Sequence, residues 1–171
     1  LIQPTARHPG IAGEPLGIDL PQGAVALAHA ASSVMMDAGE LLHLAAAAAR
    51  VSWKEGLIGV EIGAYHGQTT AFLASVLQLL GRDVPVLSID PFEQVDPDPL
   101  NPQGSYTEYL RSIQAAGAQK MCFPLVAFSQ DAAAVVPHGI GLLIIDGWHE
   151  YSAVAQDLAL YAPKVVPGGI I

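Results

Sequence analysis

Four short segments of this sequence end in residues able to do chemistry. The first is an apolar run that reaches Glu61 and passes Gly63 and Gly67, reading VEIGAYHGQTT over Val60–Thr70. A second run ends at Asp90, a third leads to Ser129 and Asp131, and a fourth closes in Asp146-Gly-Trp-His149. Carboxylates accept hydrogen bonds from hydroxyls and amides, and imidazole takes up a proton near neutral pH. The set therefore suits nucleoside recognition joined to general-base chemistry. Gly63 and Gly67 let backbone N–H groups approach a ligand, and a helix starting at Gln68 offers its positive end to an anion. Asp90 follows Gly67 by 23 residues, and one carboxylate there can accept from both hydroxyls of a ribose. The dinucleotide fingerprint G-x-G-x-x-G is not met, because Tyr65 stands at its second glycine and would crowd a pyrophosphate. Singly, each acid reads equally as a helix cap or a solvated loop residue. Four strand ends of this kind favour a shared crevice.

The elements that must position these residues follow from periodicity and punctuation. Pro4, Pro9, Pro15 and Pro21 mark an irregular lead-in over 1–21. Helices are expected over 22–36 and 38–51, the second opened by a capping box at Asp37-Ala-Gly-Glu40 and carried by the alanines 45–49. From Leu57 short β-like runs alternate with helices: strands at 57–63, 84–90, 121–128 and 141–146, and helices at 68–80, 105–117, 130–135 and 151–162. Ser105-Tyr-Thr-Glu108 has the spacing of a second capping box. Residues 91–104 read as a loop rich in proline and aspartate, and Gly168–Ile171 as entry to a fifth strand. Pro124 cannot donate to a ladder, which places the third strand at a sheet edge. Tyr151, Val154, Leu158 and Tyr161 share one face of the last helix, expected to lie on the sheet. The alternation implies an α/β, doubly wound, mostly parallel Rossmann-like sheet with right-handed crossovers and helices on both faces. Residues 1–56 are expected to form a helical lead-in of the same domain, and 57–171 its core.

Bulk properties bound the partners. With 171 residues the chain suits one domain, and 51% hydrophobic against 13% charged residues fits a packed core. A net charge of −9 disfavours nucleic acid as a partner. Cys122 is the single cysteine, so no internal disulfide and no cysteine zinc site forms, in keeping with a cytoplasmic protein. The apolar stretch 24–51 is broken by His29, Asp37, Glu40 and His43, which argues against a membrane span. A homo-oligomer is compatible with the sequence.

Taken together, the segments resemble class I S-adenosylmethionine-dependent methyltransferases. Val60–Thr70 is similar to their first motif, LSIDPFE to their ribose-binding segment and LVAFSQDAA to their adenine-side segment. IDGWHEYSAVAQDLALYAPKVVPGGII resembles the I-D-G-x-H-x-Y signature of small-molecule O-methyltransferases of the cephalosporin and macrolide-sugar type. The resemblance, over about 38–171, implies S-adenosylmethionine as cofactor and a small-molecule hydroxyl as acceptor. It implies that Gly63, Tyr65 and Gly67 line the methionine portion, with Glu61 supporting the turn or the amino group. Thr69 would cap the helix or reach the carboxylate. Asp90 would bind the ribose, Phe92 would lie beside the adenine, and Ser129 and Asp131 would bond the adenine edge. His149 would be the general base, with Asp146 close to the cofactor and holding a divalent cation such as Mg2+. Trp148 would wall the acceptor pocket or cover the sheet, and Tyr151 and Asp157 would brace the site from behind; His66 has no role in this reading. Relatives of this type continue past P-G-G-x-x with further metal ligands and strands, so the sequence reads as truncated at its C-terminal end. Two other functions fit the same sheet: a nicotinamide-dependent oxidoreductase, and a cofactor-binding module without catalysis.

Overall fold

Apolar strands alternating with amphipathic helices place one parallel sheet at the centre of the chain, and the computed structural model has it. The structure describes residues 20, 23–33, 36–92 and 105–171. The lead-in expected over 1–21 and the loop expected over 91–104 lie almost wholly outside the described residues. The strands are β1 (Ile58–Ile62), β2 (Val86–Asp90), β3 (Cys122–Val126), β4 (Ile140–Ile145) and β5 (Val165–Ile170). All pair in parallel, in the order β3-β2-β1-β4-β5. That order reverses between β1 and β4, so a crevice opens beyond their carboxyl ends.

Helices α1 (Ala24–Ala31), α2 (Ala38–Arg50), α3 (Gln68–Leu79) and α4 (Ser105–Ala115) share one apolar layer around Leu41, Phe72, Leu73, Leu77, Val86 and Tyr109. Helices α5 (Ser129–Ala132) and α6 (Tyr151–Tyr161) cover the other side, over Val60, Ile62, Ile89, Ile140 and Leu143. β1 shows why the strands read as continuous apolar runs. Val60 and Ile62 point to one layer and Glu61 to the other, so both faces are covered.

Local chemistry explains most boundaries. The capping box at α2 is formed: Asp37 Oδ1 accepts from the Glu40 N–H at 2.9 Å, and Glu40 Oε2 from the Asp37 N–H at 2.8 Å. Its alanines Ala45, Ala46 and Ala48 are buried, letting the backbone approach α1 and α3 closely. α1 stops at Ala31, short of the expected 36, because Ser32 turns its hydroxyl back onto the His29 carbonyl at 2.9 Å and takes extended backbone. Ser105 is itself helical and buried, so it is not the cap that its spacing suggests. β3 is an edge strand, as Pro124 requires. β5 begins at Val165, ahead of the glycines, and bulges between its pairings Ile140↔Val165 and Leu142↔Ile170. Pro167 has no N–H to pair there, and Gly168 turns through φ +82°.

The face expected of α6 is corrected. Tyr161 is fully buried and Val154 half-buried, but Tyr151 is 89% exposed and Leu158 also faces outward, while Asp157 takes the buried position. Four apolar residues at helical spacing do not fix which edge of their stripe meets the sheet. Among the described residues, no helix is long and apolar enough to cross a membrane.

Candidate functional site

The turn after β1 is set by the protein's own packing. Gly63 has φ +88°, its N–H donates to the Ile89 carbonyl at 2.9 Å, and the Asp146 N–H donates to the Ile62 carbonyl at 2.8 Å. The exits of β2, β1 and β4 are thereby tied together. A Cβ on Gly63 would stand 2.3 Å from the Asp146 carbonyl oxygen, so the β4 exit crosses directly over this Cα. Gly67, at φ +72°, is the N-cap of α3, and a Cβ there would stand 2.6 Å from Cδ2 of Tyr109. The two glycines are required by close contact with Asp146-Gly147 and with Tyr109, and their own N–H groups are taken by the Ile89 and Ala64 carbonyls rather than left to a ligand. Gly63→Ala is therefore expected to destabilise the fold by on the order of 3 kcal/mol or more, from a backbone clash added to a left-handed φ. Urea denaturation measures it, and a loss under about 1 kcal/mol would contradict the crossing.

Glu61 is fully buried under this turn. Register sets it beside Ser88 of β2. Thr70, in the first turn of α3, hydrogen-bonds Glu61 Oε2 through its hydroxyl. The Thr70 and Ser88 hydroxyls lie 3.1 Å apart, and the Tyr109 hydroxyl donates to Ser88 Oγ at 3.1 Å. The chain of donors thus runs from Tyr109 through Ser88 and Thr70 to the carboxyl. Glu61 Oε1 has no hydrogen-bond partner among the described residues. Burial pushes the Glu61 pKa from 4.5 up to about 8; the Thr70 bond opposes this, and Asp146 and Asp90 add to it. Hydroxyls, not backbone N–H groups, hold this acid, and it does not line the open crevice with the others.

Asp90, half-buried at the end of β2, accepts the Tyr65 N–H on Oδ2 at 2.8 Å and the Phe92 N–H on Oδ1 at 2.5 Å. Each oxygen keeps a second lone pair. Tyr65 is 41% exposed, and its ring stacks on His66 with centroids 3.7 Å apart and planes at 15°. Phe92 is buried edge-on against Tyr106 and Tyr109 at 5.0 and 5.3 Å. Thr69 does not cap α3. Its hydroxyl lies 3.8 Å from the Met36 sulfur. Ser129 opens α5 with its carbonyl accepting from the Tyr161 hydroxyl at 2.6 Å, so Tyr161 of α6 ties down this end of the sheet, whereas the exposed Tyr151 does not. Asp131 is exposed in the first turn of that short helix.

Beyond β4, His149 Nε2 lies 3.6 Å from Asp146 Oδ1, with the two side chains 82% and 42% exposed. Burial raises the Asp146 pKa from its ordinary value; His149 opposes this shift and Glu40 reinforces it. Trp148 stands 65% exposed.

A family model described as a methyltransferase domain matches residues 60–171. The chain belongs to this methyltransferase family. No curated protein matches it significantly. Among solved structures the domain is similar to a Corynebacterium glutamicum protein (13% identity, TM-score 0.55, covering 75% of this chain and 54% of that one). It is also similar to a proposed O-methyltransferase from Klebsiella pneumoniae (15%, 0.54, 88% and 62%). A third is the C-terminal domain of precorrin-6Y C5,15-methyltransferase from Rhodobacter capsulatus (16%, 0.50, 88% and 67%). At these identities the likeness is one of fold. The chain spans 31% to 67% of the lengths of the solved structures it resembles.

S-adenosylmethionine is the cofactor expected of such a methyltransferase domain, and the switch-point residues fit its nucleoside half. Asp90 has lone pairs for two hydroxyls, and Tyr65 occupies the turn where a pyrophosphate would need a small residue. The Mg2+ expectation is not met. Among the described residues no group of three His, Cys, Asp or Glu could hold a metal ion, and Asp146 alone supplies too few oxygens. Sequence reasoning missed the buried partners of the site. Ser88, an isolated hydroxyl within the apolar run VLSID, was the one available signal for the Glu61 network.

Proposed function

We propose that this methyltransferase domain transfers a methyl group from S-adenosylmethionine to a hydroxyl of a small molecule, with His149 as general base. The supporting observation is the pairing of Asp146 and His149 at the carboxyl end of β4, across the switch point from the Tyr65–Asp90 contact. When bound, the cofactor supplies an electrophilic methyl on a sulfonium. The chain's own part is to position and to move a proton. Asp90 fixes the turn and accepts from the ribose. His149 turns Nε2 toward Asp146, and in the tautomer that carries its proton on Nε2 the lone pair on Nδ1 accepts the acceptor's hydroxyl proton. In-line placement of the two reactants supplies most of the acceleration in such a transfer. The exposure of Trp148, Tyr65 and His149 leaves this side of the crevice open to an acceptor.

Calorimetric titration with S-adenosylhomocysteine and, separately, with NAD tests the cofactor. S-adenosylhomocysteine is expected to bind and NAD is not; binding of NAD alone would return the protein to the oxidoreductase reading. A domain that binds S-adenosylhomocysteine yet methylates no hydroxyl acceptor would be a module without catalysis.

A further inference from the structure

Among the described residues, Tyr65 and Phe92 are the non-glycine positions with positive φ, at +43° and +49°. Both are bulky aromatics, for which left-handed backbone is unfavourable. They follow different strands and are 27 residues apart (92 − 65), yet their N–H groups converge on the two oxygens of one carboxylate, that of Asp90. Hydrogen bonds to an ionised acceptor are the strong kind. Strained backbone persists where surrounding contacts over-determine it, and such positions cluster at ligand sites.

We propose that Asp90 is a positioning residue, a clasp that holds Tyr65 and Phe92 in left-handed backbone and so sets both loops bordering the crevice. On the Phe92 side the clasp reaches into the core. Phe92 packs on Tyr106 and Tyr109, and Tyr109 lies directly under Gly67. On the Tyr65 side it faces outward and presents the Tyr65–His66 stack at the rim. One carboxylate thus couples the core wall of the site to its outer wall before any ligand arrives. An acid that served only a ribose would be dispensable to the ligand-free fold.

The test is a double-mutant cycle read by urea denaturation without ligand, on wild type, Asp90→Ala, Tyr65→Gly and the pair. Asp90→Ala is expected to lower the folded-to-unfolded ratio about 5- to 30-fold. Tyr65→Gly is expected to be roughly neutral alone, since relief at φ +43° offsets the larger unfolded-state entropy of glycine. In the Asp90→Ala background it should restore about half or more of the logarithmic loss, because glycine no longer needs holding. Asp90→Asn keeps one acceptor oxygen and should fall between wild type and alanine; it also serves as the reference should Asp90→Ala fail to fold. The readout that packing alone would not move is affinity. Tyr65→Gly should weaken S-adenosylhomocysteine binding about tenfold or more while stability holds. Additive effects of the two substitutions, or an Asp90→Ala protein as stable as wild type, would overturn the clasp. The affinity arm rests on the methyltransferase reading; if wild type binds no S-adenosylhomocysteine, that reading fails while the ligand-free cycle still decides the clasp.

Discussion

Glu61→Gln should remove most of the pH dependence of stability between about pH 5 and pH 8, and above that range should leave the variant more stable than wild type. The sign follows from linkage. In the unfolded chain Glu61 ionises near 4.5, whereas in the folded protein burial holds its proton up to about 8. Between these values the unfolded state binds fewer protons than the folded one, so stability falls as pH rises. The contribution is fully present below pH 4.5 and lost as pH rises through about 8. A shift of this size corresponds to several kcal/mol at most, roughly 3–5, for a group shielded completely from solvent. Glutamine cannot titrate, and its carbonyl can still accept the Thr70 hydroxyl. Urea denaturation of both proteins at intervals from pH 5 to pH 9 measures the difference. Parallel curves would show that Glu61 is ionised in the folded protein and that some charge partner compensates it.

The same residue shows what could be read from the sequence. VEIG announced a strand ending in an acid and a glycine turn, and the strand is there. The parallel pairing, the edge position of the strand holding Pro124, and the box at Asp37–Glu40 were all legible too, because each rests on local chemistry; the strand order was not. The partners of Glu61 were not. Ser88 lies on the neighbouring strand and Tyr109 on a helix 48 residues away (109 − 61), and only register and packing bring them together. Gly63 and Gly67 looked like a ligand-facing pair. They prove necessary for Asp146 and Tyr109, neighbours that no spacing rule names. The face of α6 failed for a related reason: Leu158 and Tyr151 match the period, yet Asp157 is the residue turned inward. His66 had no reading until the left-handed backbone at Tyr65 laid the two rings together, a contact that consecutive residues in a regular helix or strand do not make.

His149→Gln should slow methyl transfer by about 10²- to 10⁴-fold while leaving S-adenosylhomocysteine affinity within about twofold. The geometry makes this a demanding prediction. The imidazole is 82% exposed and its contact with Asp146, at 3.6 Å, is longer than a hydrogen bond, so little holds it in place. A catalytic contact that is loose without ligand commonly tightens when the reactants arrive. Asp146→Asn should then cost less than His149→Gln, because it removes an orienting charge and leaves the base. The two effects should not add, since the role assigned to Asp146 acts through the histidine. The pH profile separates a base from a mere lining residue. A histidine accepting a proton works only when neutral, so the wild-type rate should climb with pH to a plateau, and the glutamine variant should lack that limb. Transfer of radiolabelled methyl into a panel of phenolic and sugar hydroxyls, followed with each variant across pH, gives both readings. If His149→Gln matches wild type on every acceptor that is methylated, the base lies elsewhere. The remaining part of the β4 exit, Asp146-Gly147 packed over Gly63, would then be a structural crossing alone.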